Sequence, residues 1–200
     1  LHHRLGGAGF HAFRTRCIGR EAVRIEQAQV AAIECCRKID LPAQELGAAC
    51  IDMGGGATGI SIFMKKHMIY ADSVRMGGDH VTSDISKGLQ IPLSVAEKIK
   101  TRHGGLYATG MDDREMIDIG GDSGDWEKDR RKISRTELIG IIRPRVEEIL
   151  EETRARLDGA GFEHLPSQQI VLCGGASQMP GLDGLAARIL GQRVRLGRPL

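Results

Sequence analysis

Cys50-Ile51-Asp52-Met53-Gly54-Gly55-Gly56-Ala57-Thr58-Gly59-Ile60-Ser61-Ile62-Phe63 reads as an apolar strand closed by an aspartate, then three consecutive glycines, then a second strand. Three glycines in a row leave no Cβ in the way, so several backbone N–H groups can turn towards one anion, which is the chemistry of a phosphate cradle. The spacing Gly54-x-Gly56-x-x-Gly59, with Asp72 further on, also satisfies the fingerprint of a dinucleotide-binding turn. That reading fails on context. The fingerprint must open a helix, whereas Ile60, Ile62 and Met64 alternate with Ser61 and Phe63 at the two-residue period of a strand, and Lys65-Lys66-His67 then turns into Met68-Ile69-Tyr70. Strand, glycine turn, strand is a hairpin. In such a hairpin Asp52 is expected to aim its carboxylate at whatever the turn holds; with phosphate there, its natural role is to hold Mg²⁺, directly or through water.

Outward from this hairpin, strands are expected from Leu46 to Ile51, Ile60 to Met64, Met68 to Ala71, and briefly from Ser73 to Met76. Gly77-Gly78 breaks the sheet, Asp79 is placed to cap a helix, and Val81, Asp84, Ile85 and Leu89 follow at helical spacing, with Gly88 near the end. Ser94-Val95-Ala96-Glu97 has the spacing of a capping box for a second helix, which His103-Gly104-Gly105 stops. A short strand is expected at Glu115 to Ile119. The Gly/Asp run from Gly120 to Asp125 lacks a glutamate at the twelfth position, so a calcium loop is the poorer reading. Ser134-Arg135-Thr136-Glu137 is another capping box, opening a long helix with Leu138, Val146, Ile149, Leu150 and Leu157 on its buried face and a kink expected at Pro144. Gln169 to Cys173, the pair Gly174-Gly175, a helix through Leu182 to Leu190, and Arg193 to Leu196 form a parallel crossover. Its glycine turn lies at the carboxyl edge of the sheet, where open α/β folds bind ligands. Two glycine turns are thus expected to converge on one edge.

The chain has 200 residues, 27% of them charged, 4% aromatic, and a net charge of +2, an ordinary globular composition. No basic stripe interleaved with aromatics is present, so nucleic acid is not an expected partner. The cysteines, Cys17, Cys35, Cys36, Cys50 and Cys173, are odd in number and lack C-x-x-C spacing, which fits a reducing compartment, the cytoplasm, better than a disulfide framework. No apolar run approaches the roughly 20 residues that span a bilayer. Residues 1–46 contain a helical pattern from about 20 to 39, and His2, His3 and His11 have neither regular spacing nor acidic neighbours, so a solvated tail is the better reading than a metal site. The chain begins with Leu1, which suggests a piece of something longer.

Asp52-Met53-Gly54-Gly55-Gly56-Ala57-Thr58 resembles the second phosphate motif of the actin, heat-shock chaperone and sugar kinase superfamily. Met76-Gly77-Gly78-Asp79-His80-Val81-Thr82-Ser83-Asp84-Ile85, Ile141-Ile142-Arg143-Pro144-Arg145, and Val171-Leu172-Cys173-Gly174-Gly175-Ala176-Ser177-Gln178-Met179-Pro180-Gly181, in this order, narrow the resemblance to the FtsA family of bacterial cell-division proteins. The resemblance covers residues 46–200. It implies an α/β, ribonuclease-H-like (actin-like) sheet with an inserted helical subdomain: residues 47–83 and 166–200 as the nucleotide-binding subdomain, 84–165 as the insertion, and 1–46 as a poorly matched N-terminal segment. Ala57 stands where the family has Thr, and Gly59 where it has a polar residue, so one phosphate-facing hydroxyl is missing.

What the resemblance implies for function is an ATP-binding scaffold that links the FtsZ ring to the cytoplasmic membrane at the division site during septum formation, self-associates into actin-like polymers, and reaches the membrane through a C-terminal helix outside this chain. Its site would use Asp52 towards Mg²⁺, Gly54, Gly55, Gly56 and Thr58 towards the phosphates of ATP, Gly78 beside the nucleotide, Glu97 and Lys100 at ribose and adenine, and Gly174, Gly175, Ala176 and Ser177 against adenosine and phosphates. Arg131, Arg145 and Glu148 would rim the contact with the acidic, apolar FtsZ tail. Weak ATPase activity at most is expected of the complete protein, and none of this chain alone. A sugar kinase needs a substrate carboxylate and first-half loops that the sequence does not present; a chaperone ATPase is expected to continue into a peptide-binding domain.

Overall fold

The computed structural model describes residues 47–65, 67–108, 114–119, 131–165 and 168–197. The helical pattern from 20 to 39, the N-terminal histidines and the Gly/Asp run of 120–125 lie outside them. Three antiparallel strands come first: β1 (Ala48–Met53), β2 (Thr58–Met64) and β3 (His67–Val74). β1 is buried at every residue but Asp52 because it is central, and the β1–β2 register closes on Met53 opposite Thr58, which leaves residues 54–57 as the glycine turn of a hairpin. Gly54 N–H donates to Ala57 O across that turn at 3.0 Å. The expected extra strand from Ser73 to Met76 does not form separately. β3 is one strand to Val74, since its pairing with β2 runs on past a single irregularity at Ile62/Phe63.

Two further strands complete the sheet, β6 (Gln169–Cys173) and β7 (Arg193–Leu196), giving the order β3-β2-β1-β6-β7 with β1, β6 and β7 parallel. An antiparallel run followed by a parallel crossover was expected from the sequence. β6 and β7 are joined through α4 (Leu182–Leu190), the crossover helix. Between β3 and β6 come α1 (Gly78–Leu89), α2 (Leu93–His103), the short antiparallel pair β4 (Met116–Asp118) and β5 (Lys132–Ser134), and the long α3 (Arg135–Gly159).

Ser134 caps α3 as its spacing predicted, its hydroxyl accepting from Glu137 N–H at 3.1 Å. Leu138, Ile142, Val146, Ile149, Leu150 and Leu157 form its buried stripe, and the helix runs through Pro144 without terminating. Gly88 is not the cap of α1; Gln90 takes the left-handed conformation there. Gly88 instead lets α3 approach, because a Cβ on it would stand 3.2 Å from Ile141 Cδ1.

Two polar clamps join helices to their neighbours. Asp72 on β3 accepts from Arg156 of α3 and from the Tyr70 hydroxyl, both at 2.9 Å. Burial works to raise the Asp72 pKa, but hydrogen bonds from Arg156, Ser73 N–H and Tyr70 outweigh it and hold it below the ordinary value. Burial and the bond to Asp72 push the Tyr70 phenol up to about 12. Arg145 of α3 grips Asp84 of α1 with two nitrogens, at 2.6 and 3.2 Å, and also pairs with Glu148. Among the described residues no helix is long and apolar enough to cross a membrane.

Candidate functional site

The carboxyl ends of β1 and β6 lie side by side, with Asp52 opposite Cys173 in the parallel register, so the turns that follow them meet at one edge of the sheet. A cleft of about 420 Å³ opens there. Its walls are Gly54 and Gly55 of the β1–β2 turn, Gly78 and Asp79 at the start of α1, Glu97, Lys100 and Thr101 on α2, and Gly175, Ala176, Gln178, Met179 and Pro180 after β6.

The glycine turn and α1 are stitched together. Gly78 N–H donates to Gly54 O and Asp79 N–H to Gly55 O, each at 2.9 Å, so the turn's carbonyls satisfy the open donors at the helix start. Asp79 therefore does not cap the helix as its spacing suggested; the helix begins two residues earlier, with Gly77 at the cap position. His80 Nδ1 accepts from Gly77 N–H at 3.2 Å. Gly77 has to be glycine, since a Cβ would fall 2.4 Å from Gly54 O and 2.5 Å from Gly55 O. With those carbonyls turned towards α1, the N–H groups of Gly55 and Gly56 donate to nothing among the described residues. A Cβ on Gly56 would meet nothing within 4 Å. This is an exposed, donor-lined turn.

Behind it stands Asp52, half-buried and outside the cleft lining. Burial pushes its carboxyl above the ordinary aspartate value. Gly174, with φ of +88°, fits against it: a Cβ there would lie 2.3 Å from Asp52 Oδ1 and 2.5 Å from Met53 O. Gly175 is the opposite case, lining the cleft with open space where its Cβ would be. Among the described residues no three His, Cys, Asp or Glu side chains converge on one point, so Asp52 could hold a cation only with water and ligand oxygens completing its shell.

Glu97 and Lys100 meet at 2.7 Å on α2, and both reach Thr82 of α1. Lys100 Nζ donates to Gly78 O at 3.1 Å and to Thr82 Oγ1 at 2.8 Å. With Glu97 as third acceptor, every N–H of the ammonium is used. Burial would raise the Glu97 pKa, but hydrogen bonds from Lys100 and Thr82 and the lysine charge hold it below the ordinary value. The expected capping box at Ser94 does not form: α2 starts at Leu93 behind Pro92, without a side-chain cap, and Glu97 is drawn to α1 instead.

Of the residues expected at a site, Gly54, Gly55, Gly78, Glu97, Lys100, Gly175 and Ala176 line the cleft together. Thr58 does not face it. The residue is fully buried and its hydroxyl donates to Met76 O at 2.8 Å, tying the start of β2 to the segment before α1. Ser177 is also fully buried, its Oγ donating to Gly174 O at 2.7 Å, so it closes the turn after β6. Asp79, Thr101, Gln178, Met179 and Pro180 were missed. Only Asp79 carried a readable signal, as an acid immediately after Gly77-Gly78. Away from the cleft, Arg145 and Glu148 pair with each other, whereas exposed Arg131 precedes β5 and the whole first part of α3, ten residues or about 15 Å of helix, separates them.

Known proteins share this fold. Residues 49–200 match the family model described as cell division protein FtsA. The chain is 43% identical over 156 residues to the cell division protein FtsA of Agrobacterium fabrum, covering 78% of this chain and 35% of that protein. It is 32% identical over 164 residues to that of Escherichia coli K12, covering 78% and 38%. It therefore spans about a third of the length of the curated relatives it matches. Among solved structures, MreB 5 of Spiroplasma citri bound to AMPPNP superposes with a TM-score of 0.62 at 24% identity, over 86% of this chain and 53% of that one. The ethanolamine utilization protein EutJ of Carboxydothermus hydrogenoformans gives 0.58 at 18% identity, over 84% and 49%. At these identities the likeness concerns the fold, which is α/β and actin-like. Sheet order, converging glycine turns and a match over most of the chain lead to one conclusion: the chain belongs to the cell division protein FtsA family.

Proposed function

We propose that this chain carries the second phosphate loop and the adenosine side of an ATP site in a cell-division scaffold. The observation that carries the reading is the exposed glycine turn, where the N–H groups of Gly55 and Gly56 donate to nothing among the described residues and where Gly54 and Gly55 wall a cleft with Gly78 and Gly175; Gly56 stands beside that cleft, not in its lining. The structures of MreB 5 of Spiroplasma citri bound to AMPPNP and to ADP support it through the shared fold. Gly55 and Gly56 would donate to phosphate oxygens, Met179 and Pro180 would offer apolar surface to a base, and Asp52 would steady Mg²⁺ through water. A magnesium ion bound there would neutralise phosphate charge. Residues 47–83 with 166–200 serve in this proposal as the nucleotide-binding subdomain, and 84–165 as the inserted one.

Titration calorimetry with ATP, with and without Mg²⁺, tests the reading. Magnesium-dependent binding is expected, without appreciable turnover. An actin-type site closes two phosphate loops over one nucleotide, and the described residues supply one; phosphoryl transfer needs the complete positioning. Absence of binding, or turnover abolished by Asp52→Ala, contradicts it.

The family membership supports the wider role: self-association into polymers, and a link between FtsZ and the cytoplasmic face of the membrane at the division site. For the FtsZ tail, Arg131 is the exposed arginine of the proposed rim, whereas Arg145 is committed to Asp84 and to the exposed Glu148. An FtsZ tail peptide is expected to bind less tightly as salt rises and to lose affinity on Arg131→Glu. Affinity indifferent to both moves the partner site elsewhere.

A further inference from the structure

Thr82 sits in the first turns of α1, 5% exposed, with no part in the expected site. Its Oγ1 lies 2.5 Å from Glu97 Oε2, 2.8 Å from Lys100 Nζ and 3.1 Å from Gly78 O. A hydroxyl has one proton. Lys100 already serves Gly78 O, and the contact to Glu97 is the shorter, so the arrangement that satisfies all four groups is Lys100 donating to Thr82 and Thr82 donating to Glu97. Both internal bonds to Glu97 fall on Oε2. Oε1 has no partner among the described residues, on a side chain 48% exposed at the cleft wall.

We propose that Thr82 is a positioning residue for ligand recognition, holding Glu97 by one oxygen so that the other is presented, fixed and ionised, to a hydroxyl donor of the bound nucleotide's sugar. The proposal rests on the nucleotide reading of the cleft. A carboxylate oxygen can only accept, and the donor meant here is the ribose 2′-hydroxyl, which a 2′-deoxyribose lacks while it keeps its 3′-hydroxyl. Lys100 has no N–H left for the ligand and acts through Glu97 and Thr82.

Thr82→Val keeps the shape and removes the hydroxyl; Thr82→Ser keeps the hydroxyl. Affinities for ATP and 2′-deoxyATP are measured on the chain and on both variants. In the unaltered chain ATP is expected to bind the tighter; in Thr82→Val that preference falls roughly tenfold, mainly through ATP, and Thr82→Ser restores it. Equal loss for both nucleotides without rescue by Ser makes Thr82 merely structural and overturns the proposal, as does an unchanged preference in Thr82→Val. The ¹³C carboxyl titration of Glu97 without nucleotide supplies a separate readout. Its midpoint is expected to rise in Thr82→Val and return in Thr82→Ser; no movement overturns the proposal. If the unaltered chain binds neither nucleotide while the Glu97 midpoint moves as expected, the nucleotide reading fails and the claim of sugar recognition falls with it, leaving the Thr82–Glu97 clamp alone established.

Discussion

Gly174→Ala is expected to unfold or severely destabilise the protein, while Gly175→Ala, one residue on, leaves its thermal midpoint unchanged and removes nucleotide binding. At 174 the backbone has φ of +88°, and the new Cβ would fall 2.3 Å from Asp52 Oδ1 and 2.5 Å from Met53 O, inside any tolerable contact. Left-handed backbone costs an L-residue roughly 1–2 kcal/mol, and displacing a central strand against a second one adds to that. The total, about 3 kcal/mol or more, is a large share of an ordinary domain's stability. At 175 the Cβ meets no atom, φ is unstrained, and the methyl enters space that the cleft would give to a ligand. Thermal melts and ATP titration of the two variants check this pair. Equal melting of both would show that the geometry at Gly174 is relieved by movement; unchanged binding in Gly175→Ala would take the ligand away from this wall.

Asp52→Asn is expected to melt slightly higher than the unaltered chain at neutral pH, by up to roughly 2 °C, and to lose the Mg²⁺ dependence of nucleotide binding. The sign follows from burial. Because the folded-state pKa of Asp52 is raised, the fold favours its protonated form, and the group's contribution is greatest below its unfolded pKa and lost as pH rises through the folded one. At neutral pH the ionised carboxylate is a cost, which the neutral amide removes. A carboxylate held at such a cost, with no hydrogen bond or ion pair among the described residues, is what a cation-facing role requires. A lower melting point for Asp52→Asn, or persisting magnesium dependence, would show that the carboxylate serves the fold.

Sequence made the sheet legible at β1, β2 and β6, which border glycine turns and carry a two-residue alternation or an apolar run; β3, His67-Met68-Ile69-Tyr70-Ala71-Asp72-Ser73-Val74, has neither and reads as two pieces. The cap at Ser134 was readable for a local reason, since the Glu137 N–H that its hydroxyl accepts from lies three residues on, although the reciprocal bond of a full capping box is not seen among the described residues. The caps expected at Asp79 and Ser94 failed for the converse reason. The donors at the start of α1 are taken by Gly54 O and Gly55 O, more than twenty residues away, and Glu97 is drawn across to Thr82 on another helix. The hydroxyls of Thr58 and Ser177 were assigned to a ligand from motif position alone, yet both are spent on carbonyls that hold the turns in shape. β5 had only Lys132, Ile133 and Ser134 to announce it, too few for any period. Met179 and Pro180 reach the cleft through the path of the chain after β6, which no spacing records.

The bonds from Gly78 and Asp79 to the glycine turn leave no slack between that turn and α1, and Gly77 leaves no room for a side chain to part them. Anything that tugs on the turn is pulling a connecting rod. The rod is bolted to α3 by the two-nitrogen grip of Arg145 on Asp84, and α3 is bolted in turn to β3 by Arg156 on Asp72. A displacement that begins with a few atoms at the cleft therefore has an unbroken route of direct contacts to the middle of the longest helix in the described chain, where a partner resting on that surface would feel it.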